Sequence, residues 1–219
     1  MRAELEPGTL LDPEALLQEL DVSRTVLREA LKVLTAKGLV DARPRLGTHV
    51  TERARWQLLD PDVMRWRAMG KPDARLVTEL GEVRRIIEPS AARMAALHRT
   101  DEELAQIRHS YERLEASTSD HAVAAQADAA FHNAILVASG NELLERFEVI
   151  LEPALHARDR LAFEHRHDDV FLDIHRSVLD AIAAKDADAA YERMLELTTL
   201  AIGDATESLS ASGQREEAT

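Results

Sequence analysis

The chain has 219 residues, of which 45% are hydrophobic and only 4% aromatic, and it contains no cysteine. The lack of cysteine excludes disulfide bonds and thiolate metal sites and is typical of a reducing compartment. No stretch resembles a signal peptide or a membrane span, so we expect a soluble, cytoplasmic protein with no membrane partner. The net charge of −13 opposes nucleic-acid binding, but residues 1–56 hold nine basic and nine acidic residues, so the remainder carries the whole excess.

A short helix is predicted after Asp12, which can serve as its N-cap. Pro13 then takes the first helical position, where its missing N–H is not needed, and Glu14 adds an acid to the first turn. We expect three apolar residues of this helix to point inward: Leu16, Leu17 and Leu20.

A second helix is predicted after Ser23, whose hydroxyl can cap its first turn. Three cations recur at every fourth position and share one face: Arg24, Arg28 and Lys32. The apolar residues of the other side are expected to pack against a core: Val26, Leu27, Ala30, Leu31, Val33 and Leu34. Two short helices joined by a tight turn are typical of a helix-turn-helix, although a helical hairpin with a solvated cationic edge fits the periodicity equally well.

Two short β-like runs, residues 39–44 and 48–50, flank Gly47, which can adopt positive φ. Arg43 and Arg45 lie near the tip of the resulting hairpin. Such a hairpin is a wing that could lie against a phosphate backbone.

The stretch DVSRTVLREALKVLTAKGLVDARPRLGTHV resembles the winged-helix signature of the GntR family of bacterial repressors, with its VSRT turn, REAL helix, GLV strand and RPxxGTxV wing. The resemblance implies that residues 1–54 form a winged-helix domain that binds double-stranded operator DNA. The residues implied in DNA binding are Ser23, Arg24, Thr25, Arg28, Lys32, Arg43, Arg45 and Gly47.

Two features depart from the family pattern. Asp21 stands where the family usually has glycine, which adds a negative charge near the DNA face. The family also has a helix before the PGTLL element, whereas only residues 1–6 precede it here. Either the true start lies further upstream or the domain lacks part of its core, and both would weaken DNA binding.

Residues 55–72 are expected to form a linker with a short helix at the domain junction, and they contain both tryptophans, Trp56 and Trp66. The segment WQLLDPDVMRW is similar to the connector of GntR regulators that respond to sugar acids such as galactonate.

From residue 73 to 208 the pattern predicts helices and no strand, which favours an all-α bundle. The six predicted helices are 73–98, 101–116, 120–138, 141–164, 168–185 and 187–208. Residues 209–219 are expected to form a disordered tail. The fold class is therefore mainly α, a winged helix-turn-helix followed by a helical effector domain.

Asp128 and His132 are four residues apart and share a helical face, a spacing that suits a divalent metal. His175 lies on a later helix, and Arg84 and Glu88 are also four apart. On spacing alone, a surface pair or a hydrogen-bonded core histidine is a commoner explanation of the Asp–His pair than a metal site.

The segments VRRIIEPSAARMAA, DAAFHNAI and IHRSVLDAIAAKDADAA resemble the all-helical FCD effector domain of the FadR branch of the GntR family. Its metal-binding members carry one Asp and three His. Asp128, His132 and His175 fall on three of these positions, and Leu197 falls on the fourth. The resemblance therefore implies either a three-ligand site, completed by water or an effector carboxylate, or no metal; Zn²⁺ is the expected metal, with Ni²⁺ or Mn²⁺ as alternatives.

Three residues are candidates for effector binding: Arg84, Glu88 and Asn141. Arg84 could hold a small carboxylate bidentately, while Asn141 is first of all a candidate helix cap. We expect a homodimeric regulator, a repressor rather than an enzyme, in which the effector changes the spacing of the two winged domains. The alternatives are a metal-dependent hydrolase that uses the Asp–His cluster and a regulator-derived scaffold that no longer binds DNA.

Overall fold

The structure is a computed structural model, and it describes residues 5–43, 46–69, 74–117, 121–151, 153 and 169–200. The chain divides into two compact units, Met1–Met64 and Arg65–Thr219. Within the described part of the chain, no helix is both long and apolar enough to cross a membrane.

The first unit is a helix-turn-helix followed by a β-hairpin. Strand β1 (Leu10–Leu11) precedes helices α1 (Pro13–Leu20) and α2 (Arg24–Ala36), and strands β2 (Val40–Arg43) and β3 (Gly47–Val50) follow. The sheet is antiparallel in the order β1-β3-β2. A two-residue strand leaves no periodicity in the sequence, so β1 was not predicted.

The predicted helix starts are confirmed by their hydrogen bonds. The Asp12 carboxylate accepts from the Glu14 N–H at 2.9 Å, and the Ser23 hydroxyl accepts from the Val26 N–H at 3.3 Å. Asp21 ends α1 with φ of 49° and ψ of 49°, the left-handed conformation that favours glycine and that Asp tolerates better than most residues. Its difference from the family pattern therefore carries only a modest backbone strain.

The predicted inward packing of the two helices is only partly correct. Leu27 is the one residue of α2 that is fully buried, whereas Leu20, Val26 and Val33 are 56%, 54% and 48% exposed. Leu17, Leu27 and Leu31 line an open groove of about 630 Å³, in which Leu17 and Leu31 are half-buried. The predicted cationic face of α2 lines the same groove, through Arg24, Arg28 and Lys32. A unit this small buries less of its surface than a larger domain does.

The second unit is helical in its described residues. Helix α3 (Pro61–Met69) continues into it from the first unit. The others are α4 (Ala74–His98), α5 (Asp101–Ala116), α6 (His121–Ala138), α7 (Glu142–Glu145), α8 (described over 148–151), α9 (Asp169–Ala183) and α10 (described over 187–200). Helices α6 and α9 both pack against α4 and α5. The predicted fold class, mainly α with a winged helix and a helical bundle, is confirmed.

The single helix predicted over residues 141–164 is wrong at its start. Helix α7 ends at Glu145, and a turn follows in which the Phe147 N–H donates to the Leu144 carbonyl. Phe147 packs against a small apolar cluster that contains Leu136 and Leu151. Tertiary packing of Phe147 therefore interrupts a pattern that looks continuous. Three predicted stretches lie outside the described residues. They are the end of the helix predicted over 141–164, from residue 154, the end of the helix predicted over 187–208, from residue 201, and the tail at 209–219.

Candidate functional site

Five buried polar side chains meet among three helices of the second unit. Helix α4 supplies Arg84 and Glu88, helix α6 supplies Asp128 and His132, and helix α9 supplies His175. Each is 5% exposed or less. The four-residue spacing on α4 and on α6 turns each pair to one face, and packing of the helices brings the pairs together with His175.

His175 has two acceptors for its ring. Its Nδ1 lies 2.7 Å from the Phe171 carbonyl oxygen, and its Nε2 lies 2.9 Å from Oδ1 of Asp128. Burial lowers the pKa of His175, and the contact with Asp128 offsets this only in part. A neutral ring has one proton for two acceptors. A metal ion at Nε2 would remove this conflict, because Nδ1 would keep the proton for the carbonyl.

His132 presents its Nε2 to the same carboxylate. That nitrogen lies 3.4 Å from Oδ1 of Asp128, while Nδ1 lies 2.6 Å from Oε2 of Glu88. The contact with Glu88 has the distance of an ion pair but not the alignment of a hydrogen bond. Burial is the largest influence on the pKa of His132 and lowers it, but the charge of Glu88 and the side-chain contacts with Asp128 and Glu88 together raise it, and the net shift is upward.

Glu88 also binds Arg84 on its own helix. Oε1 accepts from Nε at 2.5 Å and Oε2 from Nη2 at 3.3 Å. Burial alone would raise the pKa of the Glu88 carboxyl, but the charges of Arg84 and His132 lower it to about 2. Nη2 of Arg84 lies 3.3 Å from Nε2 of His132, so a guanidinium borders the candidate ligands.

The donor set fits a divalent metal. Ligand atoms of Asp128, His132 and His175 all lie within 4.8 Å of one another. The Nδ1 atoms of both histidines face oxygen atoms, an outer arrangement typical of ligating histidines. Leu197 is buried in the apolar core and cannot ligate. Three other histidines that could in principle serve as ligands lie outside the described residues: His156, His165 and His167.

The site has an apolar wall that the sequence analysis missed. The Phe131 ring packs edge-on against both imidazoles, with centroids 5.7 Å from His132 and 5.2 Å from His175. Its place one residue before His132 does not indicate this contact, because adjacent residues of a helix do not face each other. The Phe171 carbonyl could not have been found, because a backbone oxygen leaves no signal in a sequence.

The described hydrogen bonds of Asn141 are separate from the buried polar cluster. Its side-chain oxygen accepts from the N–H groups of Leu143 and Leu144 and caps α7, and its own N–H donates to Ser139. This is the capping role that the sequence indicates, and none of these bonds reaches the buried cluster.

The cations implied in DNA binding are exposed, and each described one lies near a carboxylate. Arg24 pairs with Glu14 at 3.0 Å, while Glu29 lies 3.6 Å from Arg28 and 2.9 Å from Lys32. On the hairpin, Arg43 lies 3.1 Å from Asp41. Ser23 is engaged as a cap, Thr25 is exposed, Gly47 has φ of 82° as predicted, and Arg45 lies outside the described residues.

A helix-turn-helix with a wing, followed by a helical unit, defines a class of DNA-binding transcription regulator. Comparison with known proteins agrees. Residues 1–50 match the family described as bacterial regulatory proteins, gntR family, and residues 79–199 match the FCD domain. The chain belongs to the GntR family and carries an FCD domain, as its sequence motifs predict.

The relatives are transcription regulators. The galactonate operon transcriptional repressor of Escherichia coli (strain K12) is 33% identical over 195 residues, which cover 87% of this chain and 85% of that protein. The regulator LutR of Bacillus subtilis (strain 168) is 33% identical over 199 residues, or 88% and 89% of the two chains. This confirms the expected class, a regulator of transcription and not an enzyme.

A solved structure shares the fold. It is that of Lar, described as controlling the agr system of Listeria monocytogenes, with a TM-score of 0.66 over 93% of this chain and 89% of that one. At 18% identity this similarity concerns the fold alone.

Proposed function

We propose that this regulator is a homodimeric, cytoplasmic repressor whose binding to operator DNA is modulated by a small carboxylate held at a metal site in the helical unit. The observation that carries the proposal is the convergence of the two Nε2 atoms of His132 and His175 on Asp128, beside the Arg84 guanidinium.

Asp128, His132 and His175 would hold the metal, for which Zn²⁺ is the first candidate and Ni²⁺ or Mn²⁺ the alternatives. Bound there, the metal would supply an open coordination position for an anionic ligand. Glu88 and the Phe171 carbonyl keep the Nδ1 sides of the two rings occupied, so that both Nε2 atoms face Asp128.

Charge supports a monocarboxylate as the effector. The charges of Arg84 and Glu88 cancel, and the Asp128 carboxylate adds one negative charge. A divalent cation would then leave one positive charge in a buried site, where an uncompensated charge is unfavourable. A single carboxylate restores neutrality, and Arg84 can donate to it. The galactonate operon repressor among the relatives makes a sugar acid the first choice.

The proposed DNA face comprises the cationic side of α2 and the wing. Residues 1–54 form the proposed DNA-binding domain, 55–72 the linker and 73–208 the effector domain. A homodimer would present its two copies of α2 to the two halves of a symmetric operator. The effector would favour one spacing of these helices over another.

Metal content tests the proposal directly. We expect about one metal per chain, by mass spectrometry, in protein purified without chelators or an affinity tag, and none in His132→Ala. His109→Ala is the matched control, because His109 is an exposed histidine on α5 of the same unit. Equal metal content in the parent and in His132→Ala would contradict the assigned site.

A further inference from the structure

Two arginines share the carboxylate of Asp41 in the first unit. Nε of Arg43 lies 3.1 Å from Oδ2, and Nη1 of Arg55 lies 3.0 Å from the same oxygen. His49, which is paired with Asp41 across the two strands, has its Nε2 3.8 Å away. Hydrogen bonds from Arg43 and, to a smaller extent, from Arg55 lower the pKa of Asp41, so the carboxylate is ionised. The two arginines and this one carboxylate together leave an excess of one positive charge.

The two guanidiniums are more exposed than the carboxylate between them. The side chain of Asp41 is 23% exposed, against 53% for Arg43 and 56% for Arg55. An anion that approaches from solvent therefore meets the arginines first. The bonds to Asp41 use Nε of one and Nη1 of the other, and since each guanidinium has five N–H donors, further donors remain.

The backbone of Arg55 is held in place. A Cβ atom on Gly38 would lie 2.1 Å from the Arg55 carbonyl oxygen, so only glycine allows this approach. The Arg55 N–H donates to Glu52, and the next residues are tied to the end of α2 by the Gln57 N–H, which donates to the Lys37 carbonyl. Arg55 is therefore presented from a fixed position and not from a freely moving loop.

We propose that Arg55 is a further contact to the phosphate backbone of DNA, and that Asp41 positions Arg55 beside Arg43 as a pair. The inference rests on the proposed DNA face and adds to it a residue that lies outside the helix-turn-helix and the hairpin. Phosphate contacts act through counterion release and do not depend on base sequence. The salt dependence of binding is therefore the property to measure.

The experiment uses the full chain and a fluorescein-labelled duplex of random sequence, with anisotropy titrations over a series of salt concentrations. The slope of log K against log salt is negative, and Arg55→Ala should reduce its magnitude by about 0.9, the value for one phosphate contact. Arg55→Lys should retain most of the slope. Arg193→Ala is the matched control, because Arg193 is a similarly exposed, ion-paired arginine of the second unit, and it should leave the slope unchanged.

Two further variants separate the possible failures. Asp41→Asn should tighten binding to the random duplex, because it removes the charge that competes with phosphate. If Arg28→Ala reduces the magnitude of the slope while Arg55→Ala, like Arg193→Ala, leaves it unchanged, the inference is wrong and the proposed DNA face stands. If neither Arg28→Ala nor Arg55→Ala reduces the magnitude of the slope, the proposed DNA face itself is wrong.

Discussion

Glu88 connects the two parts of the buried site, since its carboxylate contacts both Arg84 and His132. Without it, Arg84 would keep its charge in a site that is almost completely buried. Breaking a buried ion pair by removing one partner is far more harmful than replacing both partners, because the remaining charge has lost its compensation.

Glu88→Gln should therefore lower the free energy of unfolding by roughly 3 to 5 kcal/mol. The double variant Arg84→Met/Glu88→Leu should recover much of this loss. Denaturant unfolding of the three proteins measures both. Glu79→Gln is the matched control, because Glu79 pairs with Arg75 at the same spacing on the same helix but its side chain is 41% exposed. It should change stability by less than about 0.5 kcal/mol. If Glu88→Gln and Glu79→Gln lost similar amounts of unfolding free energy, burial would not be what makes the Arg84–Glu88 pair sensitive to the loss of one partner.

At the scale of residues, the sequence predicts pairs but not their convergence. The spacing of Asp128 and His132, and of Arg84 and Glu88, indicates two pairs on two helices. That Glu88 reaches His132, 44 positions later, depends on how α4 packs against α6, and helical periodicity does not contain this information. The position of His175 beside Asp128 could be stated only from resemblance to a family.

Among the elements, the end of α2 is tied closely to the start of α3. Nζ of Lys37 lies 2.7 Å from Asp60 and 2.9 Å from Asp62. Asp60 also accepts from the Asp62 and Val63 N–H groups, so the carboxylate that pairs with Lys37 caps α3 as well. The end of α2 and the start of α3 are thereby fixed to one another within the first unit.

Substitutions at Asp60 can separate these two roles. Asn is an equally good N-cap but has no charge, so Asp60→Asn should lose only the ion pair, while Asp60→Ala should lose about 1 kcal/mol more with the cap. Lys37 lowers the pKa of Asp60 below its usual 3.8. The charge therefore stabilises the fold above that pH, and this contribution is lost as the pH falls through the lowered pKa.

Thermal melting across the acid range checks this assignment. The wild-type protein and Asp60→Asn should differ at neutral pH and converge in acid, while Asp60→Ala should remain less stable than Asp60→Asn throughout. A constant difference between the wild type and Asp60→Asn at every pH would show that the ion pair is not its source.

The same elements show what local sequence predicts well. The helix starts at Asp12 and Ser23 follow capping chemistry that involves only a few adjacent residues, and the structure has the corresponding hydrogen bonds. The break after Glu145 was missed, because it depends on packing of Phe147 against residues far away in the chain.

For the whole molecule, the distribution of charge bears on how it discriminates among DNA sequences. The excess of acidic residues lies outside residues 1–56, and the described cations of the proposed DNA face all lie near carboxylates. Such surface pairs are weak, so a phosphate can displace them. They nevertheless reduce the attraction of DNA in general, and we infer that tight binding requires contacts to base edges as well.

Coupling between metal and effector is the property that tests the helical unit as a whole. With Zn²⁺ bound, galactonate should raise the melting temperature, and at a hundredfold excess over its Kd the stabilisation should be about 2.7 kcal/mol. Galactose, which has no carboxylate, should have no effect. Both Asp128→Asn and treatment with a chelator should abolish the galactonate shift, because each removes the cation that the carboxylate neutralises. A galactonate shift of equal size without metal would instead mean that Arg84 alone holds the carboxylate, and a shift with galactose would mean that the carboxylate is not what the site recognises.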